Sequence, residues 1–566
     1  MTPLEVFAPD SDPMGAQWLS ALLGALPIAA MLVTLGALRW KAHLAAVFSW
    51  LVAAAVAVVG FGMPLHMTMA TSAHGFAYGI FPIVFILLSA IWMYEVTVTS
   101  GRFDDLRRTF FLVSDDPRVV GLLVAFCFGG LLEALAGYGA PVAITAAMLV
   151  AVGHSALRSA LVALLANTVP VAFGVVGLPI LMAARVGGFD DPLAVSPIAG
   201  RLTAILCLVV PFLLLAVMDG RKGIRECWPV GLVVGATFAI TKWIVSATSL
   251  FYLTEMFASV ISVAIAIAFL RLWRPSGAAA ATIRVAHPLD PDLEAASAGP
   301  VDPGDAEAPV LTPRRVVMAL VPYAMVVVVF GIAALPAVKD FLSGLEVSFR
   351  WPFLQGLANA DGTPSAHQTF TLGWAASPGL HLSIVAVATG LVYRMALGEI
   401  FGVLWAQLKR MRFAALTIGF VVALAFVMGD SGQTLALGML VAGAGIWYAA
   451  LAPVLGWIGT YVTGSDTSAN ILFSGLQSSV GYEIGPGSHL GTDGMRALLV
   501  GAGATGGVVG KMISPQSLAI AATAISLPGA ESVILRRIVW WSIGLLALLC
   551  ALSGLMATPL LSWLLP

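Results

Sequence analysis

Charge is scarce in this 566-residue chain. Asp, Glu, Lys and Arg make up 10% of the residues, whereas 60% are hydrophobic and the mean hydropathy is +0.97. A water-soluble protein of this size cannot keep so much apolar surface away from water. The 28 basic and 29 acidic residues also balance each other, so no general attraction to nucleic acid is expected. The composition indicates an integral membrane protein surrounded by lipid.

Cysteine and catalytic motifs are equally sparse. The four cysteines show no paired spacing and are predicted to be small buried side chains: Cys127, Cys207, Cys227 and Cys550. The sequence contains no GxxxxGK[ST], HExxH or CxxC motif, which disfavours ATP-driven transport and gives no support to an intramembrane enzyme. No metal and no cofactor is predicted, and without a basic N-terminal segment a cleaved signal peptide is not expected.

Long apolar runs are abundant, and each is long enough to cross about 30 Å of hydrocarbon as a helix. The clearest are 17–38, 42–63, 77–94, 201–218, 229–248, 252–270, 316–335, 413–428 and 539–565. Gly-rich segments between them add further short or broken spans. We therefore predict an all-α polytopic membrane protein with about 11–14 transmembrane segments.

The basic residues cluster in particular loops and predict the orientation. They are Arg39, Lys41, Arg102, Arg107, Arg108, Arg118, Arg221, Lys222, Arg225, Arg271, Arg274, Arg314, Arg315, Lys409, Arg410, Arg412, Arg536 and Arg537. If these loops are cytoplasmic, most successive spans cross the membrane in alternating directions. The N-terminus then lies outside, and segment 340–378 forms a cap on the outer side.

Residues 274–315 depart from this pattern because they are rich in Pro and Ala and weakly acidic. We expect a flexible cytoplasmic linker, in preference to a regulatory domain. This linker would divide the chain into an N-terminal membrane half, 1–273, and a C-terminal membrane half, 316–566.

The two halves resemble each other at Gly-rich interruptions of their apolar runs. GYGAP (137–141) in the first half and TGSDTS (463–468) in the second are each followed downstream by GVVG and a proline. Such paired interruptions point to a transporter binding site. We predict two inverted repeats with re-entrant hairpins, one at about 119–155 and the other at about 449–480.

Three carboxylates lie within or beside these apolar runs, where a charge is costly and needs an explanation. Glu133, Asp430 and Asp466 are candidate proton carriers. A helix–helix polar contact is the alternative for Glu133, and a helix cap is the alternative for Asp430. For Asp466, capping and proton or ligand binding are compatible. Glu95 and Lys242 lie near span ends and are predicted to extend toward the membrane interface.

Other polar groups could bind an anionic substrate. Lys511 follows the second GVVG and Arg185 follows PILMAA, so each lies beside one copy of the repeat, although Arg185 could equally mark the outer interface. The remaining candidates are the tip residue Gly139, the mid-span amide Asn167, and four polar residues of the second tip: Ser465, Thr467, Ser468 and Asn470.

At these positions the chain resembles the lactate permease family. The matching stretches are LLEALAGYGAPVAITAAMLV (131–150), NTVPVAFGVVGLPI (167–180), GWIGTYVTGSDTSANILFSGLQ (456–477) and GGVVGKMISPQSLAIA (506–521). They agree in order and spacing over most of the chain. The resemblance implies a secondary transporter of the bacterial cytoplasmic (inner) membrane, built from inverted repeats with re-entrant hairpins.

The resemblance also implies proton-coupled uptake of L-lactate and related 2-hydroxymonocarboxylates such as glycolate. At the first tip, Tyr138 stands where relatives are expected to have Phe, and its added hydroxyl makes it a candidate substrate contact that could alter the preferred acid. The expected partners are the carboxylate substrate, protons and membrane lipid, and the sequence leaves a homodimer open.

Two other functions are considered. The same scaffold could import an organic anion or dicarboxylate with Na⁺, because hydroxyls and one carboxylate can hold Na⁺. A membrane sensor without transport is a further alternative, which the broken helices disfavour.

Overall fold

The computed structural model describes residues 6–137, 139–294, 312–360 and 362–566, and they are predominantly helical. The helices before the linker are α1 (Gln17–Leu32), α2 (Ala42–Val59), α3 (Leu65–Tyr78), α4 (Phe85–Thr99), α5 (Arg102–Phe111), α6 (Pro117–Leu122), α7 (Gly129–Ala136), α8 (Ala140–Val152), α9 (Ala156–Asn167), α10 (Gly174–Val186), α11 (Ser196–Val245) and α12 (Thr254–Leu272). Those that follow are α13 (Ala278–Ala286), α14 (Pro291–Glu294), α15 (Pro313–Ala333), α16 (Pro336–Ser343), α17 (Pro378–Val392), α18 (Leu397–Ser431), α19 (Gln433–Ala442), α20 (Tyr448–Thr463), α21 (Asp466–Ile484), α22 (Gly491–Lys511), α23 (Pro515–Ala524) and α24 (Glu531–Met556). Strands β1 (Val347–Arg350) and β2 (Thr369–Leu372) pair antiparallel, with Val347 opposite Leu372.

The described residues form 11 helices that are long and apolar enough to cross a membrane, or up to 12 when the bent pair α9–α10 is counted as one span. π-helical segments join α3 to α4 and α6 to α7. Helix α11 loses helical geometry at Asp219 and Gly220, which divides it into two arms. The predicted fold class, an all-α polytopic membrane protein, is confirmed.

The helices pack as two groups. In the scaffold group, α1–α5 and α15–α19, α18 packs along α2 and α3 while α17 packs along α4. In the cavity group, α6–α12 and α20–α24, the most extensive contacts join α22 to α20 and to α21. Helix α21 contacts α18 and α19 across the boundary. Each half of the chain contributes to both groups, so the packing cuts across the division predicted at the linker.

The described beginning of the predicted linker is folded. The Arg284 side chain of α13 pairs with Asp219 at the break in α11 (2.6 Å), and the inaccessible Arg118 of α6 also pairs with Asp219 (2.9 Å). This part differs from the flexible connection expected from composition. Ion pairs with distant residues hold it, and α13 also buries Ala281 and Val285, which lie one helical turn apart. Residues 295–311 of the linker lie outside the described residues.

Two helical hairpins stand in the cavity group. Helices α7 and α8 pack against each other at Gly137 and Gly139, and α20 and α21 do so around Gly464 and Ser465. The open end of the first hairpin lies beside the break in α11. Arg118 of α6, where the first arm begins, contacts Asp219 at that break. The second opens beside the end of α24, where Ser553 Oγ donates to the Ala449 carbonyl (2.7 Å).

The other end of α24 contacts the linker region, because Arg537 donates to the Leu289 carbonyl (3.1 Å). The two hairpins therefore open toward opposite ends of the bundle. Their re-entrance and their origin as inverted repeats stay predictions. The GVVG match has no structural counterpart: Val175, Val176 and Gly177 are left-handed, whereas Gly507–Gly510 belong to the regular helix α22.

Glycines allow α20 and α22 to approach closely. A Cβ added to Gly506 would collide with the Pro453 carbonyl, and one added to Gly456 would collide with the Gly503 carbonyl. Small residues at such positions let helix backbones pack tightly inside a membrane, where lipid supplies no hydrophobic drive for association.

Gly506→Ala is therefore expected to lower the free energy of unfolding by about 1–3 kcal/mol, because the backbone of α20 has to move. Thermal unfolding of the purified protein in detergent measures the change. Gly544→Ala in α24 is the matched control, since no atom outside its own helix lies within 4 Å of the added Cβ. Equal stability of the two variants would contradict the close-packing account.

Candidate transport cavity

A small cavity lies where four interruptions of the described helices meet. The interruptions are the turn between α7 and α8, the α9–α10 junction, the turn between α20 and α21, and the α22–α23 junction. The lining residues are Glu133, Gly137, Gly139, Val171, Gly174, Val175, Pro179, Gly464, Ser465, Asp466, Thr467, Lys511, Gln516, Ser517 and Ile520. All of them belong to the cavity group.

Helix N-termini face this cavity. Helix α21 begins at Asp466 with Ser465 as its N-cap, where Ser465 Oγ accepts from the Ser468 amide (3.3 Å). Helix α23 begins after Ser514, whose Oγ accepts from the Ser517 amide (3.2 Å). Helix α8 begins next to the lining residue Gly139. Because helix N-termini carry partial positive charge and spare amide donors, their convergence favours an anion.

Both turns depend on a left-handed glycine. Gly139 has φ +85° and Gly464 has φ +72°, a region that other residues adopt only with strain. The space beside each is filled from α23: Ile520 lies against Gly139, and Gln516 lies against Gly464. One face of α23 therefore touches both tips.

The α9–α10 junction contains a strained turn. Val175 (φ 46°, ψ 55°) and Val176 (φ 55°, ψ 46°) are left-handed, followed by Gly177 (φ 70°, ψ 15°). This conformation costs an L-residue roughly 1–2 kcal/mol, and the cost is higher for residues with β-branched side chains. Since Val175 lines the cavity, the strain is located where function is expected.

A buried ion pair crosses the cavity wall. Lys511 Nζ donates to Glu133 Oε1 (2.6 Å) and to the Gly137 carbonyl (3.3 Å). The side chains of Lys511 and Glu133 are 10% and 2% exposed, so water screens them little. Asn167 donates to the other oxygen of Glu133 (2.9 Å). The sequence singled out each of these residues, and the structure brings them together from α7, α9 and α22.

Asp466 lies in a confined place. Thr460 Oγ1 donates to its Oδ1 (3.4 Å), and the same oxygen lies so close to Gly507 that a Cβ there would collide with it. Its Oδ2 is buried without a hydrogen-bond partner among the described residues. Because Ser465 caps α21, Asp466 is not needed as the cap and is free for another role.

The other candidates of the second tip divide into two sets. Ser465 and Thr467 line the cavity. Ser468 and Asn470 are buried behind it, and Asn470 donates to the Pro179 carbonyl of α10 (3.1 Å). That contact joins the second hairpin to the α9–α10 junction and supports the cavity from outside its lining.

Two predicted residues lie elsewhere. Arg185 is exposed in the last turn of α10 and is not among the described lining residues. Asp430 accepts hydrogen bonds from Thr71 (3.1 Å) and His367 (2.8 Å) in the scaffold group. Burial alone would lower the pKa of His367, but the Asp430 charge and hydrogen bond outweigh it and raise that pKa. Tyr138 lies outside the described residues.

Sequence reasoning missed Gln516, Ser517 and Ile520 as lining residues. A signal was present, since GKMISPQS was among the matching stretches and its Ser-Pro pair starts a helix. The left-handed Val175–Val176 turn had no signal, because a pair of β-branched residues predicts the opposite backbone conformation.

The fold and the cavity together define a class. A multi-span helical bundle with a polar, partly charged cavity at interrupted helices is typical of a membrane transporter. The L-lactate permease family model matches residues 20–560, and the chain belongs to this family. Its members are permeases, so the protein is a transporter and not an enzyme.

Curated relatives extend over nearly the whole chain. The glycolate permease GlcA of Escherichia coli (strain K12) is 36% identical over 93% of this chain and 93% of its own length. The L-lactate permease of the same strain is 34% identical and covers 98% of both chains. The L-lactate permease of Bacillus subtilis (strain 168) is 33% identical and covers 97% of both.

Among solved structures, the YdaH transporter of Alcanivorax borkumensis aligns with a TM-score of 0.38 and 15% identity, covering 83% of this chain and 84% of that one.

A double-mutant cycle tests the ion pair of the cavity wall. Lys511→Met leaves Glu133 buried without a cation and is expected to lower the free energy of unfolding by about 3–5 kcal/mol. Adding Glu133→Leu removes the uncompensated charge, so the double variant should be more stable than Lys511→Met alone. Thermal unfolding in detergent measures all four proteins. Strictly additive effects would show that the two groups do not interact.

Proposed function

We propose that this protein is a proton-coupled importer of L-lactate and related 2-hydroxymonocarboxylates such as glycolate, located in the bacterial inner membrane. The Glu133–Lys511 ion pair in the cavity wall is the observation on which the proposal rests. The names of the relatives, a glycolate permease and an L-lactate permease, supply the substrate class.

The ion pair explains how a carboxylate and a proton could travel together. A substrate carboxylate that binds Lys511 competes with Glu133 for the ammonium group. Glu133 would then be an unpaired anion in a buried site, which is unfavourable. Protonation of Glu133 removes that charge, so the loaded cavity gains one anion and one proton and no net charge.

The remaining groups suit a 2-hydroxy acid. The N-termini of α8, α21 and α23 provide partial positive charge for the carboxylate. Ser465, Thr467 and Ser517 offer hydroxyls for hydrogen bonds to the substrate's 2-hydroxyl group. Asp466, one of whose carboxylate oxygens has no hydrogen-bond partner within the described parts of the chain, is a second candidate proton carrier.

Access to the two sides would alternate by movement of the cavity group. The described lining residues all belong to this group, so the substrate could be carried as the group slides or rocks against the scaffold group. In this proposal the N-terminus lies outside, and the open end of the first hairpin faces the cytoplasm.

Uptake of labelled L-lactate into vesicles tests the proposal. Wild-type protein should accumulate lactate when a proton gradient is imposed, and Glu133→Gln should abolish this gradient-driven accumulation, because the glutamine side chain cannot take up the coupled proton. Exchange of external for preloaded lactate should continue in this variant, because exchange moves no net proton.

Glu95→Gln is the matched control. Glu95 is a partly buried carboxylate of α4 that pairs with Arg410 (3.6 Å) and lies outside the cavity lining. Full proton-driven accumulation by Glu133→Gln would remove Glu133 as the coupling group. Accumulation that requires Na⁺ and ignores the pH gradient would instead establish the Na⁺-coupled alternative.

A further inference from the structure

A second buried ion pair lies behind the cavity. Lys242 of α11 binds Glu255 of α12, and both residues are 0% exposed. The prediction that Lys242 extends to the membrane interface is wrong, because its partner, 13 residues away in sequence, lies on the next helix. Neither residue lines the cavity, and the proposed transport scheme does not use either one.

Lys242 also holds the α9–α10 junction. Its Nζ donates to the Val169 carbonyl (2.8 Å) and lies 5.4 Å from the centre of the Phe173 ring. The junction is not α-helical at these positions, and Pro170 has no amide hydrogen to donate. Carbonyl groups of the junction therefore need hydrogen-bond donors from outside the local helix. The ammonium group supplies one of them.

The residues just before α12 contact the same junction. Gly177, the last residue of the left-handed turn, packs against the Tyr252 backbone and the Phe251 ring. One helical turn further along α12, Glu255 holds Lys242 in place. The pair and these two aromatic residues together form the wall behind the junction.

The junction in turn positions the cavity wall. Asn167 at its beginning donates to Glu133, and Gly174 near its end lies directly against the Glu133 side chain. Val171 and Val175 line the cavity. A shift of the junction would therefore displace the groups that contact Glu133.

Stability alone gives a weak reason for such a pair, because apolar residues of similar volume often replace a buried ion pair without loss. An apolar side chain could not, however, donate the hydrogen bond that Lys242 gives to the Val169 carbonyl. We infer that Lys242, held by Glu255, is a positioning residue for substrate binding: it fixes the α9–α10 junction and through it the Glu133 side of the cavity. This inference rests on the proposed function.

The test compares transport by three proteins. The double variant Lys242→Met with Glu255→Met loses one positive and one negative charge together, and the Val169 carbonyl loses its hydrogen-bond donor. We expect its KM for L-lactate to rise about tenfold to a hundredfold, as for loss of a charged hydrogen bond, with Vmax nearly unchanged. Lys242→Arg, which keeps a charged donor, should retain a KM close to that of wild type.

The matched control removes another interhelical ion pair, Arg315 with Asp105 (3.0 Å), in the scaffold group. Arg315→Met with Asp105→Leu should leave KM unchanged. If the double Met variant cannot be recovered folded, Lys242→Gln with Glu255→Gln replaces it; this neutral pair has a shorter donor and should also raise KM.

An unchanged KM in the recovered variant, or a fall in Vmax at unchanged KM, would overturn the positioning role. Absence of lactate uptake by wild-type protein would refute the proposed function instead. The two failures are therefore distinguishable.

Discussion

The cavity depends on one electrostatic constraint: Glu133 and Lys511 are buried together in a protein surrounded by lipid. Neither charge is tolerable there alone, so whatever binds one of them must change the state of the other. A carboxylate that approaches Lys511 and a proton that approaches Glu133 therefore help each other. In the proposed scheme, the coupling of substrate to proton follows from this pair, and movement of the cavity group supplies the alternating access.

The rest of the cavity group makes this arrangement possible. Helices α7, α9 and α22 have to bring an acid, an amide and a base within hydrogen-bond distance, and each ends at the cavity. Glycines of α22 permit the close approach of α20. Hydrogen bonds from Lys242 and Asn470 to the Val169 and Pro179 carbonyls hold the α9–α10 segment. Interrupted helices are stable in a membrane when neighbouring side chains replace the lost backbone partners, as they do here.

Much of the site could be predicted because polarity in an apolar run is conspicuous. Glu133, Lys511 and the TGSDTS tip stood out in this way, and the apolar runs predicted the helical fold. What escaped prediction was pairing across the fold. Lys242 looked like an interfacial residue because Glu255 lies on a different helix, and Asp430 and Asp466 looked alike although one faces His367 and the other faces the cavity. The left-handed valines are enforced by their surroundings and contradict their local preference.

Proton uptake on substrate binding tests the central claim most directly. Purified wild-type protein in weakly buffered solution with a pH indicator should take up about one proton for each L-lactate bound, because Glu133 is protonated as the carboxylate takes its place on Lys511. The Glu133→Gln variant should bind lactate without this uptake. Binding of lactate to wild-type protein with no change in bound protons would contradict the account.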